Sequence, residues 1–470
     1  MAKKNWRHKV ASETYDAIVI GAGISGLGVG GLLARAGKKV CILESAHEVG
    51  GKCRSVKIDG YTFDMGPHAT AQKAESMKLS ALLGKGEAFE ALKVPMKEGD
   101  ISMACLKDGK WVNLYETMPN AEVVKKITQD VLEMSEAQVA KYDAISIADW
   151  LKTATDDQAI RDFIWLIAAC ALTHADPNNM AAGTYFRIMR DPDRYTTGLG
   201  PVYLKGGFGA WMTLLAEGCQ ELGATIKVNS KVTKIIVEDD RVQGVLVEEM
   251  QAHRHKRVQF YGGGELGAVK RIDAPVIINT NVIWELFDII DPKPFPVWFQ
   301  DYIEGYKGKK TAILGFWIGS RQPIIKEKWL VISKGDHSKL PFICLPLSNV
   351  VPEVAPEGYH LMNQISQVEL DVETDKEKIY DTIELLKEDM DAHFPDWREK
   401  VAWIKPYYFH FEEVSHMPMQ FGVFKQGPKA PKVEGLYFAG ESVNTMWSTT
   451  KGAADSALIC AREILATDEF

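Results

Sequence analysis

The segment Tyr15–Glu44 constrains the fold of this chain more than any other. Tyr15–Ile20 is an apolar run with the length of a buried strand, and Gly21-Ala22-Gly23-Ile24-Ser25-Gly26 follows it. Ser25–Ala36 reads as a helix of small and apolar residues, Gly37 stands where a helix C-cap belongs, and Lys39–Leu43 is a second apolar strand ending at Glu44. Strand, glycine turn, helix, strand and acid in that order make one βαβ unit of the dinucleotide-binding kind. The three glycines act differently. Gly21 makes the tight turn, Gly23 lets the backbone approach a pyrophosphate, and Gly26 lets helix and sheet pack closely. The helix start offers N–H groups and a positive dipole end to phosphates. Glu44 stands at the expected spacing, about 20 residues on, for a carboxylate that accepts from a ribose hydroxyl.

The hexapeptide is informative only in that setting. Gly262-Gly263-Gly264-Glu265-Leu266-Gly267 matches the same pattern, but the stretch after it is short, charged and ends at Pro275. That copy reads as a hairpin turn.

At 470 residues the chain exceeds the ~250–300 residues at which one core stops growing, so two domains are expected. A net charge of −8 with interspersed signs argues against a nucleic-acid partner, which needs a basic face. Lys3, Lys4, Arg7 and Lys9 read as a frayed tail. Seven scattered cysteines without a C-x-x-C pair point away from zinc and disulfides and toward a reducing, cytoplasmic compartment. No metal site is expected. The longest apolar stretch, Phe163–Leu172, is too short to span a bilayer and reads as a buried helix.

Beyond the βαβ unit the pattern alternates. Residues 88–198 read as helical, with apolar spacing of three to four in Met118–Met134 and Ser135–Leu151. A helix over Ala210–Leu222 and strands near Thr225–Val228, Val242–Glu248 and Val276–Asn279 follow. Trp284–Phe411 is rich in aromatics (Trp298, Phe299, Phe316, Trp317, Trp329, Tyr407, Tyr408, Phe409), and Asp375–His393 is an amphipathic helix stopped by Pro395. Leu436–Ala439 and Thr450–Leu465 return to strand and helix. The fold class is therefore mixed α/β. A Rossmann-like dinucleotide domain is assembled from 1–87, 200–283 and 431–470, and a substrate domain from the insertions 88–199 and 284–430.

Further stretches resemble one family. Val49-Gly50-Gly51-Lys52-Cys53-Arg54-Ser55 resembles the second glycine pair of the FAD-dependent amine oxidase and phytoene desaturase superfamily. Gly60-Tyr61-Thr62-Phe63-Asp64-Met65-Gly66-Pro67-His68 is similar to a stretch of its phytoene-dehydrogenase-like members, and Glu434–Glu441 to the closing motif. The resemblance implies non-covalent FAD. By it, Gly21, Gly23, Ser25 and Gly26 cradle the pyrophosphate, while Glu44 and Ser45 hold the adenosine ribose. Gly50, Gly51 and Lys52 run beside the phosphates and ribityl chain, Val232 holds the adenine, and Gly440 and Glu441 close the site, Glu441 at the ribityl or phosphate end. Gly66, Pro67 and His68 approach the isoalloxazine, with Thr450, Lys451 and Ala453 at its N1–O2 edge. His68 is the candidate base and Lys451 a candidate positive charge; a helix start at that edge stabilises a reduced flavin.

The resemblance implies an oxidoreductase that moves a hydride between a small apolar substrate and flavin N5, by desaturation, saturation or isomerisation of alicyclic, polyene or isoprenoid-like molecules. The electron acceptor is oxygen, a quinone or a carrier. Amine or amino-acid oxidation is the alternative, and a flavin-free binding protein a third reading. Monoamine oxidases carry a tyrosine just after a Trp-Ser-x sequence; here Trp447-Ser448-Thr449 is followed by Thr450. Phe295-Pro296-Val297-Trp298-Phe299 is either a buried turn or a loop making peripheral membrane contact.

Overall fold

The computed structural model describes residues 13–68, 75–94, 103–191, 202–250, 269–306, 311–326, 330–370, 375–411, 416–445, 447 and 449–470. The basic tail, the second glycine hexapeptide and Trp329 lie outside the described residues, as does the side chain of His410.

A five-stranded parallel sheet runs in the order Thr225–Lys227, Val40–Leu43, Ala17–Ile20, Ile277–Asn279, Leu436–Phe438. Its strands come from the beginning, the middle and the end of the chain. The central ones, Ala17–Ile20 and Val40–Leu43, are buried at every position, as a parallel sheet covered on both faces requires. Helices Ile24–Arg35, Phe208–Glu221 and Thr449–Leu465 pack over one face. A β-meander of Ser230–Glu238, Arg241–Glu249 and Val269–Asp273 covers the other. The small residues of the first and last helices serve their crossing: a β-carbon at Gly28 would stand 2.7 Å from that of Ala457.

The second sheet has seven strands, in the order Val401–Phe411, Thr311–Ser320, His360–Val368, Pro341–Leu345, Leu330–Lys334, Met103–Lys107, Lys110–Asn113. The last two correct the all-helical reading of residues 88–198. They form a hairpin through Asp108 and Gly109, both in the left-handed region at φ +50° and +73°. Asp-Gly is the turn whose twist suits paired strands. The hairpin joins the sheet through Leu330↔Met103. Helices follow, including the buried Gln158–Leu172. Lys376–His393 lays Ile379, Ile383, Leu386 and Met390 against the back of this sheet. The front faces Tyr61, Phe63 and Tyr203 of the dinucleotide-binding half.

Phe295 and Phe299 are core residues packed toward Phe438, whereas Val297 and Trp298 are 71% and 60% exposed. Among the described residues no helix is long and apolar enough to cross a membrane.

Candidate functional site

The glycine turn leaves Ile20 at Gly21, whose φ of +99° no side chain tolerates well and whose N–H donates to Leu43 O at 2.8 Å. A β-carbon at Gly26 would fall 2.0 Å from Gly21 O, so the turn and the helix close on one another only with glycine there. At Gly23 a β-carbon would meet nothing within 4 Å. The first helical hydrogen bond is Leu27 N–H to Gly23 O at 2.9 Å, which leaves the N–H groups of Ile24, Ser25 and Gly26 pointing out of the helix start. The Ser25 hydroxyl is turned the other way. It donates to Ala453 O at 2.9 Å and accepts from Ser456 Oγ at 3.2 Å, so Ser25 offers the site its backbone only.

Glu44 is buried and splits its carboxylate between two N–H donors, Ala22 and Ala46, each at 2.8 Å; the exposed Ser45 adds its hydroxyl at 3.3 Å. The acid thus fixes the turn itself and retains lone pairs for a sugar hydroxyl. Ser230 N–H donates to Glu44 O at 2.7 Å. That bond brings the strand carrying the buried Val232 beside the acid.

The second glycine pair folds back on the first. Gly50 N–H donates to Ala22 O at 2.8 Å, and a β-carbon at Gly51 would lie 3.5 Å from Gly23 Cα. Gly440, at φ +118°, donates its N–H to Ser456 Oγ at 2.8 Å. Lys52 Nζ and Glu441 Oε2 face one another at 3.6 Å. Bare backbone at Gly23, Gly51 and Gly440, a helix start and one lysine converge on one gap. The donor set and the open space at Gly23 fit an extended dinucleotide diphosphate, so these residues would hold FAD.

Beyond the second glycine pair, a β-carbon at Gly66 would come within 2.4 Å of Lys52 O, a close approach that glycine alone permits. Pro67 leads to His68, which is buried and edge-on to Trp317 with ring centroids 5.4 Å apart. Asn363 ties the histidine to the second sheet. Its Oδ1 accepts from Tyr407 Oη at 2.8 Å, so its amide nitrogen donates to His68 Nε2 at 2.7 Å. His68 therefore carries its proton on Nδ1, 3.7 Å from Asp64 Oδ2. Asp64 in turn accepts from Ser55 Oγ at 2.5 Å and Phe208 N–H at 2.9 Å. Burial pushes the Tyr407 phenol well above its usual range, against the opposing pull of Asn363.

Thr450, Lys451 and Ala453 open the C-terminal helix. Lys451 does not point to solvent. Its ammonium is buried, 2.8 Å from Asp191 Oδ1 and 3.4 Å from the centre of the Trp447 ring. It pins the start of that helix to the end of the helical insertion.

Asn363, Tyr407, Trp317 and Asp191 were not legible as site residues. Each lies far along the chain from the residue it meets, and the one local sign was the polar run Asn363, Gln364, Ser366 and Gln367 within one strand.

Comparison with known proteins agrees with this geometry. Residues 19–85 match the NAD(P)-binding Rossmann-like domain, and residues 166–465, well over half of the chain, match the flavin containing amine oxidoreductase family. An all-trans-retinol 13,14-reductase of Danio rerio is 39% identical over 71 residues, which are 15% of this chain and 12% of that protein. A phytoene desaturase of Cercospora nicotianae is 47% identical over 331 residues, 66% of this chain and 52% of that protein. The chain thus spans about half, or much less, of these curated relatives. The solved structure of an oxidoreductase from Methanosarcina mazei shares the fold with a TM-score of 0.69 at 16% identity, covering 96% of this chain and 100% of its own. With its glycine cradle, its buried acid Glu44 and this family match, the chain belongs to the flavin-containing amine oxidoreductases and has FAD as its cofactor.

Proposed function

We propose that this protein is an FAD-dependent oxidoreductase that moves a hydride between flavin N5 and an apolar substrate, by C–C desaturation, saturation or isomerisation of a polyene, alicyclic or isoprenoid-like molecule. The carrying observation is the front of the seven-stranded sheet beside His68. Strand alternation puts Trp317, Ile343, Leu345, Ile365 and Tyr407 on that face, against Tyr61 and Phe63. Its central polar groups, Asn363 and Tyr407, are engaged with His68 and each other. A face of this kind gains by excluding water from hydrocarbon. Thr450 at the position where monoamine oxidases carry a tyrosine supports the same reading over amine oxidation.

FAD when bound supplies the hydride acceptor. The chain's own residues do the rest. The aromatic face holds the substrate and keeps water out, and Asn363 fixes the His68 tautomer. That tautomer makes His68 a donor aimed at Asp64, with its Nε2 lone pair occupied, so an open base must be sought elsewhere. Oxygen, a quinone or a diffusible carrier reoxidises the enzyme in this reading. The test is anaerobic titration of the yellow protein with polyenes and with primary amines, followed by absorbance near ~450 nm, where oxidised flavin absorbs. Bleaching by a polyene supports the reading. Bleaching by amines alone replaces it with amine oxidation, and a protein that takes up no flavin refutes both.

A further inference from the structure

A second cluster of buried acid–base groups lies at the end of the same sheet face. His174 follows the helix Gln158–Leu172 and is fully buried, yet neither of its ring nitrogens has a hydrogen-bond partner among the described residues. Its Nδ1 faces Glu369 Oε1 at 3.9 Å. Glu369 stands just past the strand His360–Val368, in register with Asn363, Ile365 and Gln367 on the substrate face. Gln367 is itself 3% exposed with its Oε1 unbonded. On its other side His174 meets His416, edge to face at 6.2 Å between ring centroids. His416 Nδ1 donates to Leu172 O at 2.7 Å, which presents Nε2 as an acceptor. The Glu441 carboxylate and the Lys425 ammonium both act on the His416 ring electrostatically, and Glu441 is the partner of Lys52 in the cofactor cradle.

Burying an imidazole whose nitrogens find no close hydrogen-bond partner among the described residues is costly, and such groups persist where they have work to do. We propose that His174 is the acid–base group of this site: it takes up the proton lost by the substrate and holds it beside the Glu369 carboxylate until solvent removes it, with His416 as its positioning residue.

The step balances on the hydride-transfer reading, on which it rests. One C–H bond gives its electron pair and hydrogen to FAD. The adjacent C–H bond leaves its electron pair as the new C=C bond and its proton on the His174 imidazole. The imidazolium, steadied by the Glu369 carboxylate, then loses that proton to water. Saturation runs the same path in reverse.

The surroundings keep Glu369 ionised, so it steadies positive charge on His174 without taking the proton itself. Burial would raise the Glu369 carboxyl, but His174, the Asp176 N–H at 3.0 Å and the Asn179 amide outweigh it and hold it below the usual carboxylate value. Burial depresses His416 to about 3, so it stays neutral while its neighbour carries charge.

The experiment needs no substrate. The flavin midpoint potential of the holoenzyme is measured against pH between about 5 and 8, the range in which a histidine changes charge, for wild type, His174→Gln and Glu369→Gln. A proton taken up at His174 on two-electron reduction steepens the line by about 30 mV per pH unit, the tenfold equivalent for two electrons. Wild type is expected to be steeper than His174→Gln by up to that amount, and Glu369→Gln to move the break in the line to lower pH. Superimposable lines for wild type and His174→Gln overturn the proposal. Should His174→Gln fail to hold flavin, imidazole NMR of the flavin-free wild type decides. A His174 signal that titrates, and titrates lower in Glu369→Gln, supports the proposal; one that is flat or indifferent to Glu369 refutes it. Failure of every polyene to bleach the flavin would sink the substrate reading while leaving these measurements intact.

Discussion

Gly23→Ala separates the cofactor cradle from the fold. Gly23 has φ −79° and ψ −171°, a conformation alanine adopts freely, and its β-carbon would meet no protein atom within 4 Å. The flavin-free variant should fold as the wild type does. As an N-cap, alanine is poorer than glycine by about 1 kcal/mol at most, a shift in Tm below the roughly 2–4 °C it would give a domain half this length. The methyl group instead occupies the space where the diphosphate must touch the helix start. Losing two hydrogen bonds to a charged group at about 1.5–3 kcal/mol each amounts to roughly 3–6 kcal/mol, or about 10²- to 10⁴-fold in Kd. Gly26→Ala is the control. Its β-carbon would sit 2.0 Å from Gly21 O, a clash between backbone segments that neither can relieve by rotation, so that variant should lose stability even without flavin. Fluorescence titration of flavin-free protein with FAD gives the affinities, and thermal unfolding without FAD gives the stabilities. A Gly23→Ala protein that binds FAD within about threefold of wild type, a difference of well under 1.4 kcal/mol, would refute the assignment of that gap.

Three further outcomes follow from the geometry. Asp191→Asn leaves the Lys451 ammonium buried without its carboxylate, and should cost about 3–5 kcal/mol in chemical denaturation; replacing both residues by apolar ones should recover most of it. His416, pushed down to about 3 by burial, binds a proton more readily unfolded than folded. Its contribution is therefore complete above about pH 6.5 and is lost toward pH 3 at up to about 1.4 kcal/mol per pH unit. His416→Asn should flatten the acid limb of a plot of unfolding free energy against pH, and an unchanged slope would contradict a neutral, buried His416. Val297 and Trp298, exposed beside the buried Phe295 and Phe299, are the residues through which a peripheral membrane contact would act. Changing both to serine should abolish flotation with anionic liposomes, and wild-type protein that does not float removes that contact from consideration.

The sequence by itself determined the parts whose physics is local. The turn Gly21–Gly26, the acid at Glu44, the buried strands around them and the stripe Ile379–Ile383–Leu386–Met390 are set by steric needs and periodicities within a few residues. Structure and reading agree there to within one or two positions. The Asp108-Gly109 turn was equally local and was submerged by the helical spacing on either side of it. Other features were decided only when the chain folded. A glycine's openness depends on what packs opposite, which is why Gly23 and Gly26 look alike in the sequence and differ in space. Ser25 turned its hydroxyl to Ala453, 428 residues away, and Lys451 turned its ammonium to Asp191. The hydrogen bond that fixes His68 comes from Asn363, and the groups around His174 come from Glu369 and His416. A side chain's partner in a buried site is chosen by desolvation: a polar group cut off from water must bond to whatever the tertiary fold brings within reach, and no local pattern in the chain records which residue that is.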